Sequence, residues 1–227
     1  MSAAIDWAAV AKSLDETGAA SLGALLSPDA CNAIAALYGT AAFRSTVVMA
    51  RHGFGRGEYK YFADPVPSPV SALREALYPP AATIANRWAE RLGGASFPPR
   101  LADFHERCAA AGQDKPTPLL LRYGAGDHNC LHQDIYGAVA FPLQVVVLLS
   151  DPAAFSGGTF VMTEQRPRMQ SRAEAYALQQ GEGLIFATAE RPKAGTRGDY
   201  RVKMRHGVST VRSGTRITLG LIFHNAA

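Results

Sequence analysis

The chain has little cysteine: three residues in 227, Cys31, Cys108 and Cys130, an odd number without paired spacing. That excludes the disulfide framework of a small secreted domain and is the usage expected of reduced thiols in a cytoplasm. Long apolar runs are missing too; none approaches the ~20 residues needed to cross a bilayer, so no membrane partner is expected. The first residues carry Asp6 and Asp15 instead of the basic and then apolar layout of a secretory signal. No internal repeat or low-complexity tract is present, which sets aside solenoids and fibrous arrays. Charge of one sign is not in large excess: 23 Lys and Arg against 19 Asp and Glu gives +4.

What remains is an ordinary globular composition, 48% hydrophobic and 9% aromatic. A chain of this length buries roughly 70–75% of its unfolded surface, enough for a single domain spanning 1–227 without staples. Its first part, 1–117, reads as helical support with edge strands. Apolar spacing predicts a helix over 4–16, with Trp7, Val10 and Leu14 on one side and Gly18 as its stop. Ser27-Pro28-Asp29 opens a second helix with Pro28 in its first turn. Val47, Val48 and Met49, with a later Tyr/Phe segment, predict a hairpin or two edge strands within 44–62. Three glycines in 51–57 predict a mobile loop there, a candidate lid. The alanine-rich 69–113 is expected to be helical, interrupted at Pro79-Pro80 and Pro98-Pro99.

After Pro118 the texture changes to short strands separated by glycines. The predicted strands are 119–123, 131–135, 143–149, 159–162, 183–187, 204–209 and 216–224. Short strands at regular intervals indicate a sandwich or barrel, jelly rolls included. The expected fold class is therefore mainly β with flanking helices, 118–227 forming the core that carries the site.

Chemistry concentrates in that core. His132-Gln133-Asp134, on an extended strand, would turn His132 and Asp134 to the same face, where both can reach one ion. A lone His-x-Asp is a weak signal. His206, on a short strand far downstream, supplies the second imidazole. Two histidines and one carboxylate are the protein ligands of the facial triad that leaves half of an iron(II) coordination sphere open. Arg216 begins a strongly apolar strand. A buried arginine there is costly unless an anion neutralises it, and its planar fork matches a carboxylate. The bland alternative is a cation at the rim of a strand entrance.

The ordered set Tyr123-Gly124-Ala125-Gly126, His132-Gln133-Asp134, Ser156-Gly157-Gly158-Thr159-Phe160, His206-Gly207-Val208 and Arg216 resembles the Fe(II)/2-oxoglutarate dioxygenases, within them the prolyl-hydroxylase-like branch. The resemblance covers roughly 118–225. It implies a double-stranded β-helix, or jelly-roll, core with N-terminal helices packed on the sheet. It implies iron on His132, Asp134 and His206, and Arg216 at the far carboxylate of 2-oxoglutarate. Tyr123 matches a tyrosine that lies beside the cosubstrate in many relatives. Gln144 is the polar residue available on the strand after His-x-Asp, and Thr218, two past Arg216, is a second candidate. The implied cofactors are Fe(II), 2-oxoglutarate and O2, with ascorbate compatible as an accessory. The implied reaction couples decarboxylation of 2-oxoglutarate to succinate with C–H hydroxylation.

Substrate and oligomeric state are left open by these residues. The favoured substrate is a protein or peptide side chain, proline by resemblance to the branch. The second reading is oxidative dealkylation of damaged nucleic acid. Phe141-Pro142-Leu143-Gln144 and the stretch 163–172 resemble a small bacterial subgroup whose customary label invokes damaged DNA. The stretch from Arg166 to Arg216 is rich in Arg and Lys, Arg197 included, and opposed by Glu174, Glu182, Glu190 and Asp199; it could equally be a solvated, partly ion-paired face. Tyr136, Phe141, Tyr176 and Tyr200 are candidate base-stacking residues, with core packing as the ordinary alternative. A third reading is a metal-binding jelly-roll sensor without turnover. His105, His128 and His224 are expected to be structural or substrate-facing, and Cys130 beside the triad carries no assigned role.

Overall fold

The computed structural model describes residues 4–135, 137–196 and 198–227. The N-terminal part holds α1 (Trp7–Thr17), β1 (Ala19–Ala24), α2 (Pro28–Ala36), β2 (Phe43–Val48), β3 (Gly55–Arg56) and β4 (Glu58–Phe62). Two longer helices follow, α3 (Ser68–Leu92) and α4 (Leu101–Ala110). The rest is strands: β5 (Leu119–Tyr123), β6 (His128–His132), β7 (Leu143–Leu148), β8 (Phe155–Gly157), β9 (Phe160–Gln165), β10 (Arg172–Tyr176), β11 (Glu182–Ala187), β12 (Glu190–Gly195), β13 (Gly198–Val208), β14 (Val211–Gly214) and β15 (Arg216–Ile222).

The helix ends follow local chemistry. The Asp6 carboxylate accepts from the N–H groups of Ala8 and Ala9 at the start of α1, and Gly18, at φ 84°, closes it in the left-handed conformation. Ser27 caps α2 through Ala30, and Pro28 sits in its first turn as expected. One expectation fails. α3 runs through Pro79-Pro80 without a break. Pro79 and the deprived carbonyls of Glu75 and Ala76 lie on the exposed side, where water can satisfy them. Leu77, Tyr78, Ala81, Ala82, Ala85 and Trp88 anchor the opposite face in the core. Packing therefore outweighs a defect of about 3 kcal/mol. Pro98-Pro99 does separate α3 from α4.

The strands form two large antiparallel sheets. The major sheet runs β1-β11-β7-β15-β5-β4-β2, and the minor sheet β10-β9-β13-β6-β3 with β12 paired to β13. A small third pairing joins β14 to β8. Central strand β7, Leu-Gln-Val-Val-Val-Leu, is buried throughout, as a strand covered on both faces must be. β2 and β4 make the predicted hairpin at one edge of the major sheet, and β1 pairs with β11 at the other. The two sheets face one another across a cavity, and one contiguous hydrophobic core joins them to all four helices. This is the jelly-roll fold expected. The predicted strand over 131–135 is displaced: pairing ends at His132, so Asp134 lies beyond the ladder. β8, β10, β12 and β14 were not foreseen, being short or charged.

Candidate functional site

His132 and His206 are direct partners across the antiparallel β6–β13 pair, with ring centroids 4.2 Å apart. Asp134 turns back against both: His132 Nε2 is 3.4 Å from one carboxylate oxygen and His206 Nε2 is 3.3 Å from the other. One donor atom from each residue lies within 4.8 Å of the others, close enough to share an ion. Gly207, next to His206, is required where it stands, since a Cβ would come within 2.6 Å of the Asn129 carbonyl. His132 Nδ1 lies 2.8 Å from the Cys130 carbonyl. Donating there fixes the tautomer that leaves Nε2 free to ligate. The His206 ring packs against Phe160 and Phe186.

The electrostatics follow from burial. Desolvation pushes Asp134 up, but bonds and charge from both imidazoles overturn it, holding the carboxyl well below its usual range. His132 is also opposed by burial, yet Asp134 raises it. Fully enclosed His206 goes the other way, lowered by desolvation. An ionised carboxylate between two imidazole nitrogens is a donor set suited to iron(II).

At the other end of the cavity lies Arg216, 2% exposed. Its guanidinium makes no hydrogen bond or ion pair among the described residues, and Nη1 is a buried donor without a partner. Burial lowers its pKa to about 10, with Tyr123 as the opposing influence. Tyr123 is its direct partner on β5, and Arg216 Cζ sits 5.8 Å from the Tyr123 ring centre. Gly158 makes room for it: at φ 62°, a Cβ there would lie 2.7 Å from Arg216 Cδ. The Gly-Gly motif thus has a mechanical reason. Gln144 Nε2 is a second buried donor without a partner. The Tyr123 hydroxyl makes no hydrogen bond of good geometry, with Asn129 beside it.

All seven predicted residues, His132, Asp134, His206, Arg216, Tyr123, Gln144 and Thr218, line one cavity of about 210 Å³. The donors left unpaired within it fit a small diacid, and the triad at its other end fits a metal. Sequence reasoning missed the aromatic wall. Tyr59 and Tyr61, on one face of β4, and Phe54 beside β3 line the same cavity. Their alternating spacing marked a strand but not which face met the triad. The loop around Phe54 is tied to β6 by Cys130 N–H on the Phe54 carbonyl, 2.9 Å.

Other candidates are not brought to the cavity. Phe141 is buried among Tyr78, Phe97, Phe104 and Phe223, so it is a core residue and no stacking platform. Tyr176 and Tyr200 pack against the core, and Tyr136 lies outside the described residues. Half-buried His105 faces the Phe223 carbonyl, and His224 accepts from the Phe141 N–H. Cys130 is exposed and lines no part of the cavity. The basic stretch is not one patch. Arg191 and Arg216 are buried, Arg166, Arg172 and Arg201 are paired with Glu164, Glu174 and Glu190, and Arg197 is not among the described residues.

A family described as "Oxygenase, catalysing oxidative methylation of damaged DNA" matches residues 57–226. The chain belongs to this oxygenase family. Two Mycobacterium tuberculosis proteins, the uncharacterized proteins MT2286 and Rv2227, are each 49% identical over 168 residues, 73% of the oxygenase and 72% of each relative. Among solved structures, it is similar to a Pseudomonas putida prolyl-4-hydroxylase (TM-score 0.56, 15% identity, 97% of this chain and 100% of that one). It is similar to a 2OG-Fe(II) oxygenase family oxidoreductase from Burkholderia pseudomallei (0.57, 18%, 97% and 92%). A third is a Trichoplax adhaerens prolyl hydroxylase in complex with a hypoxia inducible factor peptide fragment (0.59, 14%, 96% and 89%). The oxygenase therefore has the fold of the 2-oxoglutarate/iron(II) oxygenases. Among the described residues no helix is long and apolar enough to cross a membrane.

Proposed function

We propose that the oxygenase, acting as one catalytic domain, holds iron(II) on His132, Asp134 and His206 and binds 2-oxoglutarate through Arg216. The observation that carries this reading is a buried Arg216, without a hydrogen-bond or ion-pair partner among the described residues, in the same cavity as the triad. Iron bound with the cosubstrate and O2 supplies the oxidising power, the sum being substrate C–H, 2-oxoglutarate and O2 giving C–OH, succinate and CO2.

The protein's part is placement and exclusion of water. Arg216 pairs with the far carboxylate, gaining the partner that burial denies it. Gln144 Nε2 and Thr218, on the adjacent strands β7 and β15, stand ready to donate to the same diacid, and Tyr123 flanks it. The Cys130 carbonyl orients His132, while Phe160 and Phe186 shield His206. Tyr59, Tyr61 and Phe54 leave an aromatic wall for the substrate.

That wall favours an apolar side chain of a polypeptide, prolyl first. Reading an extruded base takes hydrogen bonds to its edge, and beyond the groups assigned to metal and diacid the cavity lining is mainly aromatic and aliphatic, with Asn129 and the Tyr59 and Tyr61 hydroxyls among its further polar groups. A second reading, oxidative dealkylation of nucleic acid, is supported by the family's description and by exposed Lys203 and Arg205 on β13 beside His206. The test is anaerobic binding of iron(II) and 2-oxoglutarate, followed by succinate release over panels of peptides and alkylated oligonucleotides, with and without ascorbate. Succinate release coupled to a peptide supports the first reading. Coupling to an alkylated strand, with binding steeply dependent on salt, supports the second. Absence of 2-oxoglutarate binding leaves a metal sensor.

A further inference from the structure

Gln133, between the two triad residues of its motif, is unexplained by their chemistry. Its side-chain Nε2 donates to the Ala189 carbonyl at 2.6 Å and to the Met204 carbonyl at 2.9 Å. Ala189 belongs to the turn between β11 and β12. Met204 lies on β13, two residues before His206. The same turn accepts the Asp134 N–H through Thr188, 3.4 Å, and Met204 N–H donates to Ala189 at 2.8 Å. Both amide hydrogens of Gln133 are used, and they join the arm carrying Asp134 to the strand carrying His206.

This link matters because the strand pairing that fixes His206 does not reach as far as Asp134. β6 ends at His132, so Asp134 lies beyond the β6–β13 pairing. His206 Nδ1 is buried without a partner among the described residues, where His132 Nδ1 has the Cys130 carbonyl. The aromatic rings beside it limit its tilt but not the distance from β13 to the Asp134 arm.

We propose that Gln133 is a positioning residue for the metal centre, its amide setting the separation of Asp134 from His206. The proposal rests on reading the triad as a metal site. Removing a polar partner that orients metal ligands costs typically about 10–100-fold in affinity.

The test uses the full chain, freed of metal and titrated with Co(II), followed by calorimetry and by the visible ligand-field spectrum. Gln133→Met keeps length without donors and is expected to weaken Co(II) binding by about 10–100-fold and to shift the spectrum. Gln133→Asn, which keeps the amide on a shorter stem, covers the case in which Gln133→Met does not fold. Its folded form is expected to show the same two changes to a smaller degree. Circular dichroism of the metal-free variants separates folding from binding. Wild-type affinity and spectrum in a folded variant overturn the role of Gln133 while leaving the metal reading intact. Failure of the wild-type protein to bind Co(II) removes the metal reading itself, and this proposal with it.

Discussion

Arg74, Arg191 and Arg216 are buried alike, at 4%, 0% and 2% exposure, but their surroundings differ in kind. Arg74 donates to the carbonyls of Ile222, Phe223 and His224 and to Thr117 and Asn225, clamping α3 to the end of β15. Arg191 holds the Asp15 and Glu16 carbonyls at the end of α1 and the Glu164 carboxylate. Arg216 holds nothing among the described residues. Desolvating a guanidinium is costly unless its donors are met. A cation matched by its own chain is therefore part of the scaffold, and one left unmatched in a cavity is open to an anionic partner.

The largest effect that would sharpen this contrast is on the scaffold side. Arg191→Met should cost about 3–5 kcal/mol in urea unfolding, because the Asp15 and Glu16 carbonyls lose their donor and Glu164 keeps only the more exposed Arg166 as an ion-pair partner among the described residues. Arg216→Met should cost less than about 1 kcal/mol, since it removes an unpartnered charge. Equal destabilisation by the two would end the comparison.

Next in size is binding. Arg216→Met should weaken 2-oxoglutarate binding by about 100-fold or more, roughly 3 kcal/mol for a buried charge-assisted pair. Anaerobic titration calorimetry measures it, and Co(II) affinity should be unchanged. A smaller loss is expected from Gly158→Ala. Its methyl would press on Arg216 Cδ at a positive φ, costing about 1–2 kcal/mol of stability and about tenfold in 2-oxoglutarate affinity. Affinity unchanged in that variant would detach Gly158 from Arg216.

The smallest test concerns charge that is bonded but not cancelled. Arg74 spends its donors on neutral groups, so it still repels a proton from His224. Burial first, and Arg74 second, lower that imidazole to about 4. A value below the unfolded one of about 6.5 means that protonation favours the unfolded chain. The contribution of His224 is thus full above about pH 6.5 and declines as pH falls toward 4, by about 1.4 kcal/mol per unit. His224→Asn, whose amide oxygen can still accept from Phe141, should lose about 1 kcal/mol less than wild type between pH 6.5 and 5.5 in metal-free unfolding. Parallel pH profiles would show that His224 is not the group responding.

Much of the site was legible because strand chemistry is local. Arg216 and Thr218 share a face by alternation, and the apolar run after them marks a buried strand. His132, Asp134 and His206 were found as residue types in a known order, although Asp134 approaches the two imidazoles from beyond the strand end. Tyr59, Tyr61 and Phe54 were not legible, since nothing in 54–61 says that this hairpin closes over β6 and β5. Nor was the role of Gln133, whose partners are main-chain carbonyls 56 and 71 residues away and leave no trace in side-chain identity. Pro79-Pro80 read as a break because propensity is counted per residue, whereas the helix is held by its buried face.

The sequence by itself determined the side-chain types of the candidate site, the strand that carries the guanidinium and the β character of the second half, since alternation and composition are properties of neighbours along the chain. Tertiary structure decided which of several buried arginines stands unpaired, which face of β4 meets the cavity and how far Asp134 sits from His206. Those are distances between segments remote in sequence, fixed by the pairing of β6 with β13 and of β5 with β15, and no local pattern encodes them.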